Sequence, residues 1–136
     1  MFSDDTRSGT GDAWNPHTYG LCTSAIGDQV CNDGEEMWTN FVKLHPNIVF
    51  VFNGHVLNDG TGKLVSTGDY GNQVYQMLAN YQFLTNGGNG YLRILKIYPA
   101  QDQSKVTVKT YSPYLDSYNT ASDQQFEFTN VDLTTP

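Results

Sequence analysis

The apolar positions of this chain fall into three regimes. Over residues 1–33 they keep no period: Gly9, Gly11, Pro16, Gly20 and Gly27, with many Asp, Asn, Ser and Thr between them, interrupt every hydrophobic run, so the stretch reads as one long irregular loop region. From Gly34 to Leu44 the pattern becomes helical. Trp38, Phe41, Val42 and His45 fall on one face, Asn32 or Asp33 stands at the cap, Glu35 and Glu36 occupy the first turn, and Pro46 follows the end. The segment from Asn47 to Asn53 then carries five consecutive apolar residues, Ile48 to Phe52, which predicts a strand covered on both faces. A helix followed by a buried strand points to an α/β layer.

Beyond residue 54 the period shortens to two. From Gln73 to Gln82, Tyr75, Met77, Ala79 and Tyr81 alternate with Val74, Gln76, Leu78, Asn80 and Gln82, as in a half-buried strand. Asn86, Gly87, Gly88, Asn89 and Gly90 form a turn before a strand from Tyr91 to Tyr98. Pro99 to Ser104 connects that strand to another, Lys105 to Tyr111, where Val106 and Val108 alternate with Lys105, Thr107 and Lys109, so the two strands form a hairpin. Phe126 and Phe128 mark a last short strand, and residues 131–136 read as a fraying tail. Three regions result: an irregular loop region over 1–33, a folded part over 34–130, and the tail. The fold class expected is α/β (α+β), with strands dominating after residue 46.

Composition supports a folded chain. At 136 residues it matches one ordinary domain, and 38% hydrophobic with 15% charged residues excludes an acidic disordered tail or a coiled coil. No apolar run is long enough for a membrane-spanning helix, and the acidic N-terminal residues lack the pattern of a signal peptide. The net charge of −7 is unevenly spread, with −6 over residues 1–40, +3 over 41–111 and −4 over 112–136. That balance argues against nucleic acid as a partner. Arg93, Lys96, Lys105 and Lys109 read as solvent-facing residues of two strands. Cys22 and Cys31, eight residues apart in a loop-like segment, suit a local disulfide of an exported protein, with two free thiols as the alternative.

Most chemical motifs are missing. Gly62 and Lys63 lack the glycine spacing of a phosphate-binding loop, no dinucleotide fingerprint or EF-hand pattern occurs, and no Ser stands in a nucleophile elbow. Asp4 with Asp5 and Glu35 with Glu36 read as a solvated terminus and a helix first turn. His45 suits a helix C-terminus, and His17 lies in the long loop. The candidate is Asn53, Gly54, His55, where the apolar strand ends and a loop of small residues begins. Sites in α/β sheets assemble at such ends, and an imidazole there can ligate a metal through a ring nitrogen.

The ordered series from Trp38 to Leu44, through Pro46, Asn47, Ile48, Val49, Phe50, Val51, Phe52, Asn53, Gly54, His55 and Val56, to Asp69, Tyr70, Gly71, Asn72, Gln73, Val74 and Asn80, Tyr81, Gln82, resembles the C-terminal half of calcineurin-like metallophosphoesterases. Gly87 to Arg93 and Thr110 to Tyr114 resemble a secreted bacterial branch of that family. The resemblance implies a β-sandwich flanked by helices and a two-metal centre of Zn, Mn or Fe that hydrolyses a phosphoester. It also implies an extracellular or periplasmic location. His55 matches the first His of the family's Gly-His-x-His motif and would be a metal ligand. Leu57 stands where the second His belongs, beside Asn58 and Asp59.

The family's Asp-x-His, Gly-Asp-x-x-Asp and Gly-Asn-His-Asp/Glu motifs precede this region and do not occur here, so Met1 resembles an internal position and the chain a C-terminal part that is inactive alone. Its expected partner is the missing N-terminal half or further copies of itself, since sheet edges left open invite pairing. A second reading is a noncatalytic, secreted, β-rich binding or self-assembling module, whose many Tyr and Asn side chains contact carbohydrate or other copies.

Overall fold

A computed structural model describes residues 34–54, 60–99 and 104–134. Residues 1–33, with His17, Cys22 and Cys31, and residues 55–59, with His55, lie outside the described residues, as do 100–103 and 135–136. Within them the fold is strand-rich α+β, 43% strand and 15% helix.

Helix α1 (Gly34–Asn40) is shorter than the expected Gly34 to Leu44. At Phe41 the backbone leaves the helix (φ −137°, ψ −68°) and a 3₁₀ turn, Val42–Leu44, follows. Pro46 restricts the preceding residue, and His45 is accordingly extended (φ −121°, ψ 106°), which stops the helix from continuing. The expected apolar face is correspondingly incomplete. Val42 is buried, whereas Phe41 is exposed and stacks its ring on that of His45, whose Nδ1 donates to the Phe41 carbonyl at 2.7 Å.

Seven strands follow: β1 (Phe50–Asn53), β2 (Thr61–Thr67), β3 (Gln73–Ala79), β4 (Leu92–Tyr98), β5 (Lys105–Ser112), β6 (Ser117–Asn119) and β7 (Phe126–Thr129). The first three make one sheet in the order β1-β3-β2, with β1 parallel and β2 antiparallel to β3. In the second sheet β5 is central. β4 pairs along one side, while β6 and β7 share the other, against the C-terminal and N-terminal parts of β5 respectively. The β4–β5 hairpin has the expected boundaries to within a residue.

The two sheets meet across a core of Tyr75 and Met77 from β3, Val106 and Val108 from β5, Phe128 from β7, and Val131. Tyr75 and Phe128 pack with ring centroids 4.8 Å apart. Burying this apolar surface is the main driving force for joining the sheets. The coverage of the strands reverses what the apolar pattern suggests. β3, expected to be half-buried, is central and buried on both faces from Val74 to Leu78, including Gln76, whose Nε2 donates to Ser66 Oγ. β1, expected to be covered on both faces, pairs with β3 alone among the described residues and leaves Phe52 62% exposed.

Two further expectations need correction. β2 begins at Thr61, inside the stretch that reads as loop. Residues 131–134 are held in place: Val131 is buried, its N–H donates to the Ser104 carbonyl, Ser104 Oγ donates back to the Val131 carbonyl, and Leu133 packs against the core. The β3–β4 connection turns as expected. Asn86, Gly87, Gly88, Asn89 and Gly90 all have positive φ, a run that only Gly and Asn tolerate readily. At Gly88 (φ 94°) a Cβ would also lie 2.6 Å from the Tyr81 carbonyl oxygen.

Candidate functional site at the ends of β1 and β3

Parallel pairing of β1 with β3 sets Asn53 opposite Leu78, so both strands finish on the same rim of the first sheet. β2 runs the other way and starts there, with Thr61 opposite Ala79. The chain therefore leaves the rim after Gly54 and returns at Gly60, and residues 55–59 span the interval. His55, Leu57, Asn58 and Asp59 belong to that interval, outside the described residues.

Both borders of the interval are defined by the backbone. Gly60 adopts φ 62° and its carbonyl accepts from Asn80 N–H at 2.6 Å. A Cβ there would lie 2.5 Å from the Asn80 carbonyl oxygen, so the close return to β3 requires glycine. On the other border Asn53 holds a buried Nδ2 with no hydrogen-bond partner among the described residues, an amide that still has a bond to offer.

Behind the rim a polar network ties the sheets together. Thr61 Oγ1 donates to Asp123 Oδ2 at 2.6 Å, and Gln124 Nε2 donates to the same oxygen at 3.3 Å. Gln124 Oε1 in turn accepts from Thr110 Oγ1 at 3.0 Å and from the Tyr81 hydroxyl at 3.3 Å. Arg93, expected to face solvent, is only partly exposed. Its Nη1 donates to the Leu78 carbonyl at 3.0 Å, its Nη2 to the Asp123 carbonyl at 3.2 Å, and its guanidinium lies over the Phe126 ring. A guanidinium suits this place because its planar fork reaches two carbonyls at once.

Of the sequence-derived candidates, Asn53 and Gly54 stand at the rim and His45 lies beyond α1, on its own ring contact with Phe41. Glu35 and Glu36 are exposed in the first turn of α1, as expected. Thr61, Tyr81, Arg93, Thr110, Asp123 and Gln124 carry no motif; only the pairing of distant strands brings them together. Among the described residues no three His, Cys, Asp or Glu side chains are grouped to hold a metal ion, and no helix is long and apolar enough to cross a membrane.

No protein-family model and no solved structure matches the chain. It is similar to the uncharacterized protein YvnB of Bacillus subtilis (strain 168), 42% identical over 90 residues. The alignment covers 63% of this chain and 7% of that protein, so the chain matches only a small portion of this relative's length.

Proposed function

We propose that this chain forms the C-terminal part of a secreted metallophosphoesterase domain and supplies His55 as one ligand of a two-metal centre. The observation that carries the reading is the parallel β1–β3 pair, at whose shared rim the chain passes from Asn53 and Gly54 directly into His55. The opposition of two sheets across one core agrees with the β-sandwich of that family. Zn, Mn or Fe bound there would polarise a phosphoester and activate a hydroxide for attack.

The donors of this chain do not fit such a centre unaided. It has one matching imidazole, Leu57 in the place of a second, and no group of three ligands among the described residues. The remaining ligands would come from outside this chain, and no hydrolytic step is assigned to it alone. The role of the chain in that domain is to hold the β1 end in place and to complete the sandwich around it.

The test is an assay of the 136-residue chain and its His55→Ala variant with bis-p-nitrophenyl phosphate in manganese or zinc, with metal content measured after loading and desalting. Neither protein should turn over substrate or retain stoichiometric metal. Turnover abolished by His55→Ala would mean that the chain completes a centre by itself and would contradict the reading.

A further inference from the structure

Strand register gathers onto the outer face of the second sheet residues that the sequence scatters over 96–127. Val106, Val108, Thr110 and Ser112 of β5 point to the buried side, so Lys105, Thr107, Lys109 and Tyr111 face outward. Pairing places Tyr118 beside Tyr111, Lys96 and Glu127 beside Thr107, and Tyr98 beside Lys105. Tyr98 and Tyr118 remain 43% and 52% exposed. In a chain with seven basic residues and a net charge of −7, three of the seven share this face.

The cations and rings are organised with one another. Lys105 Nζ lies 5.4 Å from the centre of the Tyr98 ring and Lys109 Nζ 5.6 Å from that of Tyr118. Tyr111 and Tyr118 pack at 4.9 Å, and the Tyr111 hydroxyl donates to Asp116 at 2.6 Å. The face thus offers ring surfaces near both ends, ammonium groups along its length, and two carboxylates, Asp116 and Glu127, that can accept hydroxyl hydrogens. Along β5 the distance from Lys105 to Tyr111 is about 20 Å.

We propose that this face binds an acidic polysaccharide, a glycan with carboxylates along its chain. Tyrosine rings cover the apolar C–H faces of sugar rings, lysines pair with the sugar carboxylates, and Asp116 and Glu127 accept sugar hydroxyls. Single-stranded nucleic acid fits less well. As DNA it has no sugar hydroxyls along the strand to donate to Asp116 and Glu127, so both carboxylates would face its phosphates with no bridging donor. The proposal is independent of the phosphoesterase reading, since the face belongs to the second sheet and the β1–β3 rim to the first.

Affinity electrophoresis tests it. The chain is run in native gels containing sodium polygalacturonate, dextran or poly(dT), beside Lys96→Gln/Lys105→Gln/Lys109→Gln, Tyr118→Ala and, as a control away from the face, Lys43→Gln. Retardation is expected in polygalacturonate and not in dextran, weaker at high salt. The triple variant should bind roughly tenfold more weakly and Tyr118→Ala several-fold more weakly, with Lys43→Gln unchanged. Lys96, Lys109 and Tyr118 are exposed and Lys43 and Lys105 partly so, and circular dichroism verifies that the variants are folded. Absence of retardation, equal retardation in dextran, no loss in the folded triple variant, or stronger binding to poly(dT) would each overturn the proposal.

Discussion

Replacing Arg93 by Met tests whether the polar network or the apolar core alone joins the two sheets. Met keeps much of the length and the apolar contact with Phe126 but removes both hydrogen bonds, to the carbonyls of Leu78 at 3.0 Å and Asp123 at 3.2 Å. Bonds from a charged donor contribute about 1.5–3 kcal/mol each, so the gross loss is about 3–6 kcal/mol. Part is recovered, because the buried Arg93 Nε has no hydrogen-bond partner and removing it relieves a desolvation cost of about 1–3 kcal/mol. A net destabilisation of about 3 kcal/mol follows, or a fall in Tm of about 10 °C for a domain of this size. Urea unfolding followed by circular dichroism reads it directly, with the midpoint lowered and the slope unchanged. Arg93→Lys, which retains a charge but not the fork, should lose about half as much. A Met variant within about 0.5 kcal/mol of wild type would refute the reasoning and show that the Arg93 hydrogen bonds contribute little to joining the sheets.

Three other outcomes follow from single features. Gly88→Ala should cost about 2–3 kcal/mol in urea unfolding, since φ 94° strains any L side chain and the added Cβ meets the Tyr81 carbonyl. Deleting residues 131–136 removes Val131 and Leu133 from the core and should cost about 2–4 kcal/mol; an unchanged midpoint would show that the segment is dispensable. The folded-state pKa is raised for Tyr111, chiefly by its hydrogen bond to Asp116, and for Tyr75, chiefly by burial and then by the charge of Asp132. The folded state therefore favours both protonated phenols. Their contribution is full below about pH 10 and lost as pH rises through the raised values. Tyr111→Phe should make the alkaline loss of urea resistance shallower than in wild type.

The sequence pattern was most informative where a local period decided the structure. Lys105 to Tyr111 alternates without interruption, so the β4–β5 hairpin and the inward Val106 and Val108 were legible, as was the strand at Phe126 and Phe128. Coverage was not, because it depends on which strands are neighbours. Ile48 to Phe52 is the most apolar run, yet Phe52 is largely exposed, while Gln76 is buried at the centre of the sheet with Ser66 as its partner. β2 and β6 escaped notice because Thr61-Gly62 opens the one like a turn and Ser117–Asn119 is short and polar.

The same distinction separates the parts of the candidate site. Asn53 and Gly54 are visible in the sequence as the end of an apolar strand, a local pattern. Arg93 read as a surface residue because its acceptors lie 15 and 30 residues away, and Asp123 and Gln124 sit in a polar stretch with no period at all. Val131 belonged to a segment too short to show its attachment through Ser104. Lys96 and Lys109 face solvent as expected, but the convergence of the lysines with Tyr98, Tyr111 and Tyr118 depends on the register of three strands.

The proposed function rests on His55, which follows the β1 end in the sequence, contributing a ligand to a metal centre. Line broadening by substoichiometric manganese ions in nuclear magnetic resonance spectra of the 136-residue chain tests it most directly, because a paramagnetic ion reports even weak, single-ligand contact. Broadening centred on Asn53, Gly54, His55 and Gly60, absent in His55→Ala and with His45 unaffected, is the expected result. Broadening centred on Glu35 and Glu36, or at the rim but unchanged in His55→Ala, would contradict it.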